Sequence, residues 1–238
     1  METIVYSDYE TLSRETAALI ARVVRQKPDA LLCFPAGETS LATFSELVRM
    51  EDRGEVNFTK CSFVGLDEWV HLKETQKENC FHFLQKHLFG PLRIASNQIC
   101  FFNGEAPDLE YECKKTDDYI RSHGAIDLML LGMGMNGHLG LNEPGTSFDL
   151  YSHVVELDKV TMSVGQKYFS GDIKLTHGIT LGMKHIREAG AVVLQVSGAR
   201  KKAIVADLLK SEVTTQLPAS FLKLLPQAYL LLDKAAAA

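Results

Sequence analysis

Two hydrophobic periods alternate along the chain. Runs that are apolar at nearly every position occur at ALLCF (30–34), CSFVGL (61–66), IDLMLL (126–131), HVVEL (153–157), AVVLQV (191–196) and AYLLL (228–232). They are short and β-prone, which predicts buried strands. Between many of them the period changes to that of a helix. In about 8–26, Leu12, Leu19, Ile20 and Val23 share one face, and Ser7 and Glu10 have capping-box spacing. Further helices are predicted near 39–50, 78–88, 108–122 and 200–210. Strands apolar along their whole length, separated by helices, imply an α/β fold with a mostly parallel sheet and helices on both faces. No repeat, low-complexity stretch or long linker interrupts the pattern, so 1–234 reads as a single domain. The closing AAAA, 235–238, is expected as a disordered tail.

Composition narrows the class. The 238 residues are 46% hydrophobic and 23% charged, with a net charge of −5, an ordinary globular mixture. No basic stripe points to nucleic acid or to an anionic membrane. No apolar run reaches membrane-spanning length, and METIVYSDYETLSRE has neither the basic region nor the apolar core of a signal peptide. Cys33, Cys61, Cys80, Cys100 and Cys113 are odd in number and widely spaced. Reduced thiols and a cytoplasmic setting are therefore expected. The histidines His71, His82, His87, His123, His153, His177 and His185 show no ligand spacing, so no metal is expected.

In a Rossmann-like sheet, ligands bind beyond the carboxyl ends of the strands. Four loops there carry candidate chemistry. FPAGETSLATF (34–44) has Gly37 for a tight turn and Thr39 or Ser40 to cap the next helix, whose N-terminus suits a phosphate; an ordinary capped turn is the alternative. VGLDEWVHL (64–72) places Asp67 and Glu68 directly after a buried run. There a carboxylate is placed to act as a general base; a turn aspartate beside a surface glutamate is the alternative. Trp69, the single tryptophan, is read as packing. GMGMNGHLGLNEPG (132–145) sets His138 and Glu143 five residues apart among five glycines, with Asn136 and Asn142, and suggests a tuned acid/base pair. VSGARKKA (196–203) places Arg200, Lys201 and Lys202 at a helix start. Cations are unfavourable there unless an anion is bound; a solvated basic face is the alternative.

The combination of a glycine loop after the first buried run, LDEW, GxGxNGHxGxNEPG and a late GxxK loop resembles the glucosamine-6-phosphate deaminase/isomerase family, from about Ile4 to Leu232. LDEWVHL, LGMGMNGHLGLNEPG, HGITLGMKHI and LPASFL look most like its galactosamine-6-phosphate branch. The resemblance implies an aldose–ketose isomerisation with loss of ammonia, giving tagatose 6-phosphate from galactosamine 6-phosphate or fructose 6-phosphate from glucosamine 6-phosphate. It implies no cofactor and a small amino sugar phosphate as the partner, with a homo-oligomer left open. Asp67 matches the base that moves the C2 proton to C1. His138 matches the ring-opening group and Glu143 the carboxylate that orients it. Gly37, Glu38, Thr39 and Lys201 match the phosphate site, and Lys167 falls where glucosamine enzymes carry a phosphate-binding arginine.

Some positions depart from the family pattern. Asn136 stands where many members have aspartate, and it is expected to orient His138 by hydrogen bonding. Leu150-Tyr151-Ser152 replaces a Ser-Arg-Thr segment, which points away from the glucosamine branch and its allosteric effector site. Lys167 in place of arginine forgoes a bidentate phosphate contact, and the Glu38 side chain must point away from a phosphate. A 6-phosphogluconolactonase has a similar Gly-His loop but a different ending. A sugar-phosphate sensor built on a related fold would carry a DNA-binding module, for which about 29 residues before the first buried run leave no room.

Overall fold

The computed structural model describes residues 1–70, 79–169 and 174–237. The end of VGLDEWVHL, with His71, and the first residue of the helix predicted at 78–88 lie outside the described residues. The strands are β1 (Glu2–Tyr6), β2 (Leu31–Phe34), β3 (Ser62–Gly65), β4 (Asp67–Trp69), β5 (Ile99–Cys100), β6 (Leu128–Leu131), β7 (His153–Glu156), β8 (His177–Thr180), β9 (Ala191–Val196) and β10 (Ala228–Asp233). The α-helices are α1 (Tyr9–Gln26), α2 (Leu41–Asp52), α3 (Cys80–Leu84), α4 (Leu109–Ser122), α5 (Lys159–Gly165), α6 (Met183–Glu188), α7 (Lys202–Lys210) and α8 (Lys234–Ala237).

Seven strands form a parallel sheet in the order β1-β10-β9-β6-β2-β3-β5. Its inner strands read as continuous apolar runs because successive residues enter different cores. Leu31, Cys33, Met129, Leu131, Leu230 and Leu232 pack with α4, α6 and α7. Leu32, Phe34, Leu128, Leu130 and Leu231 pack with α1 and α2. After β2 the chain crosses one face through α2, and after β6 it enters the other through α6. The connections of these adjacent, paired strands therefore leave to opposite faces at their carboxyl ends, the position at which such sheets bind ligands.

HVVEL does not join this sheet. β7 pairs antiparallel with β8, and β8 with β4, in a separate three-stranded sheet. β7 is half-buried rather than buried throughout, which suits an antiparallel strand. The predicted cap also moves. Asp8, not Ser7, caps α1 by accepting from the Thr11 N–H at 2.7 Å, while the Ser7 hydroxyl donates to Asp8. The helix predicted at 78–88 divides into α3 and a π-helical turn, Gln85–Phe89. Lys234–Ala237 is helical, Ala236 is buried, and its N–H donates to the buried Asp233 carboxylate at 2.8 Å. Among the described residues no helix is long and apolar enough to cross a membrane.

Candidate active site

The parallel arrangement brings the segments after β2, β3, β6 and β9 to one edge of the sheet. The loop after β6 is held in shape by its own backbone and side chains. Gly134 N–H donates to the His138 carbonyl at 3.0 Å. Asn142 is wholly buried and donates to the Leu139 and Leu181 carbonyls at 2.8 and 2.9 Å. One glycine is required by contact: a Cβ on Gly134 would meet the His138 ring at 2.3–2.5 Å. The imidazole lies directly over that backbone.

His138 Nδ1 lies 3.4 Å from Glu143 Oε2 and 3.1 Å from the Thr161 hydroxyl. Glu143 also accepts from the Asn136 amide at 2.9 Å and from the Asp158 N–H at 3.3 Å. Burial pushes the Glu143 carboxyl up, but the hydrogen bonds and charge of His138, with Thr161 and Asn136, outweigh it and hold the group below its ordinary range. The hydrogen bond expected from Asn136 to His138 is made to the backbone. The Asn136 carbonyl oxygen accepts from the His138 backbone N–H at 3.3 Å, and its amide group orients Glu143.

Asp67 begins β4, opposite Thr180. The chain leaves the parallel sheet at Leu66, whose carbonyl accepts from Leu181 N–H at 2.8 Å, so the Asp67 backbone is fixed. Its neighbour is not a surface glutamate. Glu68 is buried and accepts N–H bonds from Trp69, Cys80 and Phe81 at 2.8–3.0 Å. Burial first, and then the Glu68 charge, push Asp67 up to about 7, against a hydrogen bond from the Cys80 side chain. Burial also pushes Glu68 up to about 7, against its N–H donors. Asp67 is thus a carboxyl poised to exchange a proton near neutrality. Trp69 packs edge-on to Phe169 at 6.3 Å.

Two loops share a plan that suits an anion. Gly37 (φ 154) and Gly198 (φ 91) each precede a 3-10 turn, Glu38–Ser40 and Ala199–Lys201, that leads into α2 and α7. Neither Thr39 nor Ser40 caps α2, because the Ser40 hydroxyl turns back to the Gly37 carbonyl at 2.8 Å. Apart from the Ala42 N–H, which donates to the Tyr9 hydroxyl, neither helix start has a side-chain cap, and their N–H groups suit a phosphate. Glu38 is exposed. Its carbonyl accepts from the Tyr9 hydroxyl, which in turn accepts from the Ala42 N–H, both at 3.1 Å. The Lys201 ammonium donates to the Met133 carbonyl and so joins this corner to the histidine loop. Burial and then Arg200 push Lys201 below the usual lysine range. Asp233 supports the second loop, accepting from the Ser197 hydroxyl and from Gly198 N–H.

The structure therefore joins Asn136, His138, Glu143 and Lys201 through one loop, with Gly37, Thr39 and Asp67 on the same edge of the sheet. Lys167 is exposed on the 3-10 turn Gln166–Tyr168 and makes no ion pair among the described residues. Thr161, Tyr9 and Asp233 escaped the sequence reading, and Glu68 was read there only as one of an acid pair. Thr161 is 23 residues from His138 and has no local pattern; the acid pair in LDEW was the one available signal for Glu68. Among the described residues no three of His, Cys, Asp and Glu converge as metal ligands.

The family model described as glucosamine-6-phosphate isomerases/6-phosphogluconolactonase matches residues 8–229. A glucosamine-6-phosphate deaminase of Bacillus pumilus is 39% identical over 99% of this chain and 98% of its own length. One from Thermoanaerobacter pseudethanolicus is 33% identical over 100% and 94%. A solved structure described as a monomeric glucosamine-6-phosphate deaminase superposes with a TM-score of 0.95 at 33% identity, over 100% of this chain and 99% of that one. A Thermotoga maritima 6-phosphogluconolactonase shares the fold, with a TM-score of 0.77 at 20% identity over 98% and 99%. The chain belongs to the glucosamine-6-phosphate isomerase/6-phosphogluconolactonase family.

Proposed function

We propose that this protein is a glucosamine-6-phosphate deaminase, converting glucosamine 6-phosphate and water to fructose 6-phosphate and ammonia. The carrying observation is the His138–Glu143 pair on the same sheet edge as the Asp67 carboxyl, which burial and the neighbouring Glu68 push up to about 7. The full-length relatives are glucosamine-6-phosphate deaminases, and they favour that substrate over the galactosamine epimer suggested by the local motifs. His138 takes the O1 proton of the pyranose and returns it to O5. The C1–O5 bond breaks and the aldehyde forms. Asp67 takes the proton from C2 and delivers it to C1, while the C2 ammonium loses a proton and the aldehyde oxygen gains one, leaving a hydroxymethyl group at C1 and a protonated imine at C2. Water adds to that carbon and ammonia leaves.

The phosphate sits between the two helix starts and Lys201, and its remote binding energy aligns C1 and C2 with the carboxylate. Ammonia release is measured with glucosamine 6-phosphate and with galactosamine 6-phosphate, alongside hydrolysis of 6-phosphogluconolactone. Faster release from the glucosamine substrate is expected. Release from the galactosamine substrate alone overturns the epimer. Lactone hydrolysis without ammonia from either overturns the deaminase reading.

A further inference from the structure

We propose that Thr161 is a positioning residue that fixes His138 in the tautomer with its proton on Nδ1, leaving Nε2 bare to accept the first proton of ring opening. The inference rests on reading His138 as the ring-opening group. Thr161 is 3% exposed and sits in the first turn of α5. Its hydroxyl is 3.1 Å from Nδ1, nearer than the Glu143 carboxylate at 3.4 Å.

Proton counting decides the arrangement. An ionised carboxylate only accepts, and a hydroxyl has one proton to give and lone pairs to receive. Were Nδ1 bare, its lone pair would face the Glu143 oxygen. With the proton on Nδ1, the imidazole donates to the Thr161 oxygen and the Thr161 hydroxyl donates to Glu143. The Thr161–Glu143 hydrogen bond, together with Asn136, also helps keep Glu143 ionised. All three groups are then satisfied, and Nε2 is the nitrogen left without a proton.

The placement is mechanical as well as electrostatic. Asp158 caps α5, and its N–H donates to the second Glu143 oxygen at 3.3 Å. The same short helix thus holds the carboxylate by its start and the imidazole by its first turn. Positioning depends on the hydroxyl, not on the bulk of the side chain, so serine is expected to substitute and valine is not.

The test compares wild type, Thr161→Ser and Thr161→Val by nitrogen NMR of histidine-labelled protein and by ammonia release from glucosamine 6-phosphate across pH. Wild type and Thr161→Ser are expected to show a protonated Nδ1 and a bare Nε2 at His138. Thr161→Val is expected to show mixed tautomers. Its kcat is expected to fall about 10- to 100-fold with KM within about threefold, as for loss of an acid/base arrangement. A proton on Nε2 in wild type overturns the proposal. So does a Thr161→Val protein with unchanged tautomer and kcat, or a Thr161→Ser protein as impaired as Thr161→Val. If Thr161→Val does not fold, the wild-type tautomer and Thr161→Ser decide. A wild type that releases no ammonia overturns the functional reading alone, because the tautomer is read without turnover.

Discussion

The Asn136 amide donates to Glu143 Oε2 at 2.9 Å, so the residue that departs from the common family pattern serves the carboxylate and not the imidazole. Asn136→Asp would replace that donor with a second carboxylate. Two such groups at this distance cannot both ionise readily. The acid limb of the pH–rate profile is expected to move up by about one unit with activity retained. An unmoved limb would show that the amide does not control Glu143.

Asp67 carries two opposed expectations. Asp67→Asn removes the base, and ammonia release is expected to fall about 10²- to 10⁴-fold. The same change is expected to stabilise the fold at higher pH. Asp67 keeps its proton up to about 7 in the native state, against 3.8 for an ordinary aspartate. Between those values the native state binds more protons, so its stability falls as pH rises and levels off above about 7. Denaturation midpoints at pH 4.5 and 8, on the order of these bounds, test this: the advantage of Asp67→Asn over wild type should be larger at the higher pH. Glu68 is raised in the same direction, so the wild-type activity limb reports the pair rather than Asp67 alone.

A methyl group at Gly134 has no room while His138 stays where it is. Gly134→Ala is expected to displace the imidazole and lower kcat by about 100-fold or more, with a stability loss of about 1–3 kcal/mol. Thermal denaturation and kinetics on one preparation separate the two effects. Full activity would mean that the ring leaves Gly134 on substrate binding.

Lys201 is expected to act on affinity. Replacing it with methionine keeps the stem and removes the charge. KM for the sugar phosphate is expected to rise about 10- to 100-fold, the worth of a charge-assisted hydrogen bond. Inhibition by inorganic phosphate is expected to weaken in parallel. A change in kcat with KM unaltered would place the ammonium away from the phosphate.

The inner strands could be read from sequence because burial on both faces leaves almost no polar positions: LLCF and LMLL have none, and AVVLQV has Gln195 alone. β1 was missed because an edge strand exposes alternate residues, as in ETIVY. DEW and HGIT were missed because three or four residues with acids or a glycine resemble turns until they pair. Asp67, His138 and Glu143 stood out because each lies in a compact motif. Thr161 did not, since only the antiparallel excursion through β7 brings it beside the imidazole. Glu68 looked exposed because its partners are backbone N–H groups 12 and 13 residues further on, which no side-chain pattern announces.

Among the described residues, β1 is hydrogen-bonded to β10 alone in the parallel sheet. Asp233, at the end of β10, is also the group that grips the Gly198 loop. During synthesis β1 therefore has no strand to join until β10 emerges. A nascent chain that has not yet made β10 would lack both an anchored β1 and half of the anion corner. Folding of the edge and completion of the site become one late event, a long-range contact formed at the end.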